Sequence, residues 1–79
     1  MFVNEEKIVK QIIHRDEKAL LSFYRAHHAG VLQFIYKQVG SKDVAEELAQ
    51  DSFLDFIEGL RNFRGESSLK TYLFSIARF

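Results

Sequence analysis

Residues 43–60, DVAEELAQDSFLDFIEGL, decide the fold, because their apolar side chains recur at the three- and four-residue spacing of an α-helix. On a helical wheel of about 100° per residue, one side collects residues expected in a core: Ala45, Leu48, Ala49, Phe56 and Leu60, with Phe53 and Ile57 at its edge. The opposite side is mainly acidic and comprises Asp43, Glu47, Gln50, Asp51, Leu54 and Glu58. The segment therefore predicts an amphipathic helix with one core face and one acidic face. Leu54 is the aliphatic residue within that acidic face, although a lone exposed leucine is common on protein surfaces.

Charge is unevenly distributed along a chain whose formal net charge is zero. Residues 1–42 carry a net charge of +3, residues 43–60 carry −6, and residues 61–79 carry +3. Zero net charge disfavours strong non-specific binding of nucleic acid, since neutralising phosphates supplies much of that affinity. The segregation predicts an acidic face beside a basic one, although runs of charge also occur on faces that are merely solvated.

The composition favours one small helical domain. The 79 residues are 47% hydrophobic and 28% charged, and they include no proline. The absence of cysteine excludes a disulfide framework and a cysteine-ligated zinc site. No apolar run approaches the roughly 20 residues needed to cross a bilayer, and the acidic N-terminus is unlike a secretory signal. We predict a single all-α domain over residues 1–79, a compact bundle of about four helices, in the cytoplasm.

Capping residues predict where the first two helices begin and end. Asn4 is expected to cap a helix that runs to about His14, and Asp16 to start a second helix. Gly30 is a candidate bend or break within the second helix, which Gly40 ends.

The third and fourth predicted helices flank a loop. Ser41 or Asp43 is expected to cap the third helix, and Asp43 with Glu46 has the spacing of a capping box. This helix is expected to last until about Leu60. The segment RNFRGESS then lacks helical periodicity and predicts a loop, after which the last helix is expected to start at a cap and to run on for about a dozen residues. Its predicted cap and last residue are Ser67 and Arg78.

The stretch from residue 43 to residue 78 resembles the second conserved region of sigma-70 type transcription initiation factors, in their extracytoplasmic-function branch. The resemblance rests on motifs in unbroken order: residues 43–47, Gln50, Phe53, residues 63–69 (FRGESSL), 71–73 (TYL) and 76–78 (IAR). Upstream positions are similar to the less distinctive first part of the same region: Asp16, Ala19, Phe23 and Tyr24. The resemblance extends over essentially the whole chain and implies the all-α fold of sigma-70 region 2.

In that family the acidic, glutamine-containing helix binds a coiled coil of the largest subunit of RNA polymerase. The matching positions are Glu47, Gln50 and Asp51, and Asp43 and Leu54 lie on the same predicted face. A basic coiled coil would find complementary charge there and an apolar anchor in Leu54. The resemblance therefore implies core RNA polymerase as a partner of these five residues.

The loop and last helix of the family hold the promoter minus 10 element, whose non-template strand is captured as single-stranded DNA with one base turned out of the stack. The residue types here suit that role, because basic groups neutralise phosphates, hydroxyls form hydrogen bonds and aromatic rings stack on bases. The implied DNA-binding residues are Arg61, Phe63, Arg64, Ser67, Ser68, Lys70, Thr71, Tyr72 and Arg78.

Aromatic residues near the loop divide between structural and binding roles. Phe74, like Leu73, is expected in the core, and Phe63 fits either role. Tyr72 matches a position that is usually tryptophan in the family and at least partly structural. The family usually has asparagine or aspartate after the arginine matched by Arg78, whereas Phe79 stands here, which leaves the base preference open.

Enzymatic and metal-binding motifs are missing from the sequence. His27 and His28 are adjacent, so they diverge by about 100° on a helix, and together with His14 they do not make a ligand set. There is no glycine-rich phosphate loop and no nucleophile motif. We expect a protein that is not an enzyme and that needs no metal and no cofactor.

The alternative function is a small helical interaction module that uses the acidic face and never contacts DNA. The basic, hydroxyl-rich segment RNFRGESSLKT favours the sigma-type function instead. Because the family continues into a linker and a helix-turn-helix domain, we expect residues 1–79 to be an N-terminal fragment of a longer chain. An anti-sigma factor is a further candidate partner, and no insertion into a membrane is expected.

Overall fold

Helices account for most of the protein in the computed structural model, which describes residues 5–79. These residues form α1 (Glu5–Ile13), α2 (Glu17–Val39), α3 (Lys42–Gly59) and α4 (Leu69–Ile76), and a 3-10 helix, Leu60–Asn62, extends α3. The described residues contain no strand. The predicted all-α bundle of about four helices is confirmed.

The boundaries of α2 are those that the sequence predicts. The Asp16 carboxylate caps the helix by accepting hydrogen bonds from two of its first N–H groups, at 3.0 and 3.1 Å. Gly40 ends it in the left-handed conformation, with φ 72°, and donates to the Tyr36 carbonyl at 2.8 Å. Gly30 does not interrupt the helix, which runs unbroken from Glu17 to Val39. Asn4, the predicted cap of the first helix, lies outside the described residues.

The start of α3 decides between two predicted caps. Ser41 is the cap, because its Oγ accepts a hydrogen bond from the Val44 N–H at 3.4 Å. The capping box of Asp43 and Glu46 is wrong, since Asp43 already lies inside the first turn of the helix. There its carboxylate interacts favourably with the helix dipole.

Both ends of α4 differ from the sequence prediction. Ser68 rather than Ser67 caps the helix, because the Ser68 Oγ accepts a hydrogen bond from the N–H three residues later at 3.1 Å. The helix ends at Ile76 rather than at Arg78. Just beyond this end, the Gln38 side chain donates to the Ala77 carbonyl at 3.0 Å, so this carbonyl has a partner outside the helix.

The core lies among all four helices, with Val9 and Ile12 contributed by α1. Its largest fully buried side chains are Phe56, Ile35, Leu60, Leu69, Leu73, Val31 and Ser52. The predicted core face of α3 is confirmed, and so is the burial of Leu73. Phe74 is only half buried, and its ring centroid lies 5.2 Å from that of Phe34. Ser52 is a polar core residue that the sequence did not reveal. Its hydroxyl donates to the Leu48 carbonyl at 2.8 Å, so its burial leaves no unpaired donor.

Candidate functional site

An acidic surface runs along α3, and we define it by the five residues predicted to bind a partner: Asp43, Glu47, Gln50, Asp51 and Leu54. All five are exposed, Leu54 at 60% of its area. The predicted orientation of the helix is therefore confirmed, while partner binding stays a prediction.

Leu54 borders an apolar groove between α2 and α3. Leu21, which is 45% exposed, contributes from α2, and the rings of Tyr24 and Phe53 lie in the same groove with centroids 4.8 Å apart. The remaining lining residues are Glu17, Leu20, Gln50 and Ile57. An apolar strip with acidic and polar neighbours suits an amphipathic helix whose apolar residues are flanked by basic ones. Sequence analysis missed the α2 residues, because a wheel of one helix does not show which side chains of a second helix lie beside it.

The residues predicted to bind DNA surround α4 and the loop before it. Four of them line one depression, the loop groove, which comprises Phe63, Arg64, Ser67 and Tyr72 together with Gly59, Asn62 and Glu66. The other predicted residues lie outside this lining: Arg61, Ser68, Lys70, Thr71 and Arg78. Neither Asn62 nor Gly59 was singled out from the sequence. Asn62 lies in the 3-10 helix, within a segment that was predicted to be irregular, and Gly59 is the last residue of α3.

Two basic residues mark the two ends of α4. Lys70 is exposed in the first turn, and Arg78 is exposed two residues beyond the C-terminal end. Arg61 and Arg64 are exposed in and before the loop. Four exposed cations from the 3-10 helix, the loop, α4 and the residues just after it are available to neutralise phosphates of a nucleic-acid strand.

A ladder of aromatic rings connects the loop groove to the core. Phe63 stacks on Tyr72 at 4.7 Å and 26°, Tyr72 lies 5.6 Å from Phe56, and Phe56 stacks on Phe23 at 4.9 Å and 3°. Because the Tyr72 ring lies between those of Phe63 and Phe56, a structural role is favoured for Tyr72. Phe63 is the ring of the ladder nearest the loop and is the better candidate for stacking on a base.

Gly59 makes room for this ladder. A methyl group at Gly59 would collide with the Tyr72 hydroxyl. Because the Tyr72 ring is held by Phe63 and Phe56, it has no simple way to move aside. The glycine at the end of α3 therefore permits the close approach of Tyr72 that shapes the loop groove.

Lys70 supplies the positive charge at the start of α4. Its Nζ lies 6.0 Å from the ring centroid of Phe74. Burial lowers the pKa of nearby His27 below its usual value, and the Lys70 charge lowers this pKa further, against an opposing influence of Glu5. His27 is therefore neutral at neutral pH and adds no cation to the surface.

Residues 5–79 contain no group of three or more His, Cys, Asp or Glu side chains placed to hold a metal ion. Over the same residues, no helix combines the length and the apolar character that crossing a membrane requires.

Comparison with known proteins defines the class. A sequence model described as Sigma-70 region 2 matches residues 23–79. The chain is 36% identical over 64 residues to RNA polymerase sigma factor YlaC of Bacillus subtilis, an alignment that covers 81% of this chain and 36% of that protein. It is 34% identical over 62 residues to the ECF RNA polymerase sigma factor SigX of the same organism, covering 78% of this chain and 32% of SigX.

The chain belongs to the Sigma-70 region 2 family. Within that family it is a region 2 domain of the extracytoplasmic-function type. It spans about a third of the length of these two curated relatives.

Proposed function

We propose that this domain binds core RNA polymerase through the acidic surface of α3 and helps to recognise and melt the promoter minus 10 element through the loop groove and α4. The observation that carries the proposal is the presence of two chemically opposite surfaces on one small bundle. The acidic surface is exposed beside an apolar groove, whereas the loop groove and α4 carry cations, hydroxyls and an aromatic ring. No residue is shared by the two sets.

The polymerase half of the proposal concerns the coiled coil of the largest subunit. Relatives of the chain are named RNA polymerase sigma factors, which supports the choice of polymerase. Leu54 offers an apolar anchor, and Glu47 and Asp51 offer charge to basic residues around it. Leu21 extends the apolar contact onto α2.

Charge reversal tests the polymerase half. We expect Asp51→Lys to weaken binding to the isolated coiled coil by about tenfold or more, because like charges would then meet at the interface. The free energy of unfolding should change by no more than about 0.5 kcal/mol, since Asp51 is exposed. Glu6→Lys on α1 is the matched control, because Glu6 is exposed and lies outside the acidic surface. Unchanged binding by Asp51→Lys would refute this half of the proposal.

The DNA half assigns a single strand to the loop groove and α4. Lys70, Arg64 and Arg78 would follow the phosphates, and a base turned out of the stack would meet Phe63 in the loop groove. The acidic charge of α3 repels phosphates, and the net charge is zero. We therefore expect the domain alone to bind a strand with a Kd of about a micromolar or weaker, and polymerase to supply the remaining contacts.

A strand titration tests the DNA half. A labelled non-template strand and a scrambled strand are titrated at two salt concentrations with the parent, Arg64→Ala and Lys70→Ala. We expect the parent to prefer the promoter strand, and each substitution to lower the slope of log K against log salt by about 0.7 for every phosphate that the variant no longer neutralises. Lys10→Ala is the control, because Lys10 lies on α1 and pairs with Glu6 at the surface. Equal binding of both strands, with no effect of either substitution, would leave the interaction-module alternative as the better account.

The same proposal covers the setting of the domain. We propose that it forms the N-terminal part of a longer, cytoplasmic sigma factor with a helix-turn-helix domain. An anti-sigma factor is a candidate partner of its exposed surfaces. The proposed role is binding and strand capture, so it requires no catalytic group, metal or cofactor.

A further inference from the structure

Helix α4 is too short to be stable by itself. It has eight residues, whereas isolated helices below about 12 to 15 residues are marginal in water. Leu69, Leu73 and Ala77 are fully buried along one side and hold it on the bundle. This apolar stripe determines which face of α4 is buried. Apolar packing is non-directional, so it fixes the axial position and the exact rotation of the helix less strictly than hydrogen bonds do.

A side chain from α1 holds the N-terminal end of α4. The Glu5 Oε1 accepts a hydrogen bond from the Leu69 N–H at 3.0 Å, a contact between residues 64 positions apart. The first N–H of a helix has no partner within the helix, so the carboxylate satisfies a donor that Ser68 does not reach. Its negative charge also interacts favourably with the N-terminal end of the helix dipole.

A side chain from α2 holds the C-terminal end. The Gln38 Nε2 donates to the Ala77 carbonyl at 3.0 Å, and its Oε1 accepts from the Phe79 N–H at 2.6 Å. The same Nε2 lies 3.3 Å from the Phe34 carbonyl of its own helix. One amide group therefore fixes the backbone on both sides of Arg78.

We propose that Glu5 and Gln38 are positioning residues for promoter binding, which clamp α4 at its two ends and so set the register of the side chains that meet DNA. This inference rests on the proposed function. Neither residue is among those proposed to contact the strand. Lys70, Thr71 and Arg78 lie on α4 or at its end, so a shift or rotation of this helix moves all of them together.

Whether Glu5→Ala raises or lowers the affinity for the DNA strand distinguishes this proposal from a purely electrostatic effect. Glu5 carries a negative charge beside Leu69, the residue before Lys70, so charge alone predicts that Glu5→Ala strengthens binding to a phosphate backbone. The clamp predicts the opposite. We expect Glu5→Ala to weaken binding of the promoter strand about threefold to tenfold, the range of one hydrogen bond. Glu5→Gln keeps an acceptor oxygen and is expected to bind at least as well as the parent.

Matched controls exist for both ends of the clamp. Glu6→Ala removes the same charge from the neighbouring position on α1, where the carboxylate pairs with exposed Lys10 at 3.6 Å. At the other end we expect Gln38→Ala to weaken strand binding by a similar factor, while Gln33→Ala, an exposed glutamine of the same helix, has no effect.

Two further readouts distinguish positioning from general destabilisation. Binding of the polymerase coiled coil should stay within about twofold of the parent in both Ala variants, because the acidic surface on α3 is untouched. Amide hydrogen exchange should accelerate in α4 about threefold to tenfold, while the amides of Phe53 and Phe56 keep their protection. Preserved protection in α3 shows that a variant is folded.

The outcomes are distinct. Equal or stronger strand binding by Glu5→Ala, or unchanged exchange in α4, overturns the clamp. If the parent does not prefer the promoter strand but α4 exchange accelerates in both Ala variants, the proposed function fails while the two end contacts are upheld. Rescue of both strand binding and exchange by Glu5→Gln supports the clamp.

Discussion

At the residue scale, Phe56 contributes most visibly to stability. It is fully buried on α3, it stacks on Phe23, and its ring centroid lies 5.6 Å from that of Tyr72. We expect Phe56→Ala to lower the free energy of unfolding by about 3 to 5 kcal/mol, because it removes the transfer energy of the ring and leaves a cavity. A decrease of that size would leave so small a domain largely unfolded.

Urea unfolding followed by circular dichroism measures this effect. Leu54→Ala is the control, since Leu54 lies on the same helix at 60% exposure and should change stability by no more than about 0.5 kcal/mol. A Phe56→Ala variant with the parent's denaturation midpoint would mean that α3 faces the core with a different side.

His27 makes stability depend on pH. Its pKa is below the usual value of 6.5 in the folded protein, chiefly because of burial and secondarily because of Lys70. As pH falls through about 6.5, the unfolded chain takes up this proton before the folded protein does, so folding loses stability below that pH and keeps it above. The free energy of unfolding should therefore fall between about pH 7.5 and pH 5.5.

Substitution isolates this contribution. Urea titrations of the parent and of His27→Gln at both pH values should show a smaller fall in the variant. His14→Gln is the control for removing an exposed histidine and should behave like the parent. An identical fall in His27→Gln and the parent would contradict the assignment.

At the element scale, Gly30 lies within the unbroken helix α2 and Gly40 ends it, so replacing each glycine by alanine should change stability in opposite directions. A Cβ at Gly30 would lie 3.5 Å from the Phe74 Cζ, an ordinary contact, so we expect Gly30→Ala to raise the free energy of unfolding by about 0.5 to 1 kcal/mol. Gly40→Ala should lower it by about 1 to 2 kcal/mol, because φ is 72° there. Thermal or urea unfolding of the two variants measures both signs. A destabilised Gly30→Ala would indicate that α2 needs a bend at this position.

The sequence predicted an element well where the residues that contact it are close in the sequence, and poorly where they are distant. The orientation of α3 was predictable, because an 18-residue helix repeats its apolar pattern over several turns. This repetition separates core positions such as Phe56 from exposed positions such as Leu54. The contact at the C-terminal end of α4 was not predictable, since Gln38 reaches the Ala77 carbonyl from 39 positions away in the sequence. Glu5 is still more remote from the start of α4, at 64 positions in the sequence, and no local pattern marks either contact.

The same limit applied to the candidate site. The predicted exposure of the acidic surface followed from one helix alone and is confirmed. The apolar groove beside it includes Leu21 of α2, and the loop groove includes Asn62 of the 3-10 helix. Leu21 and Asn62 lie beside these grooves because two elements pack against each other. The apolar pattern of one helix does not show which residues of another element will lie next to it.

At the scale of the whole molecule, the central claim is that two partners use two separate surfaces of one domain. The acidic surface belongs to α3, and the basic residues belong to the loop, α4 and the turn before them. Because the sets share no residue, the coiled coil and the DNA strand should be able to bind together. Neutralising the acidic surface with a basic coiled coil also removes repulsion between α3 and the phosphates.

One titration tests this claim most directly. The anisotropy of a labelled non-template strand is followed with the domain alone and with the domain saturated by the isolated polymerase coiled coil. Asp51→Lys serves as the variant that binds the coiled coil at least about tenfold more weakly. We predict that the coiled coil leaves the strand affinity of the parent unchanged or increases it, and that any increase is smaller for Asp51→Lys at the same coiled-coil concentration. Displacement of the strand by the coiled coil would contradict the account, because it would mean that both partners occupy the same surface.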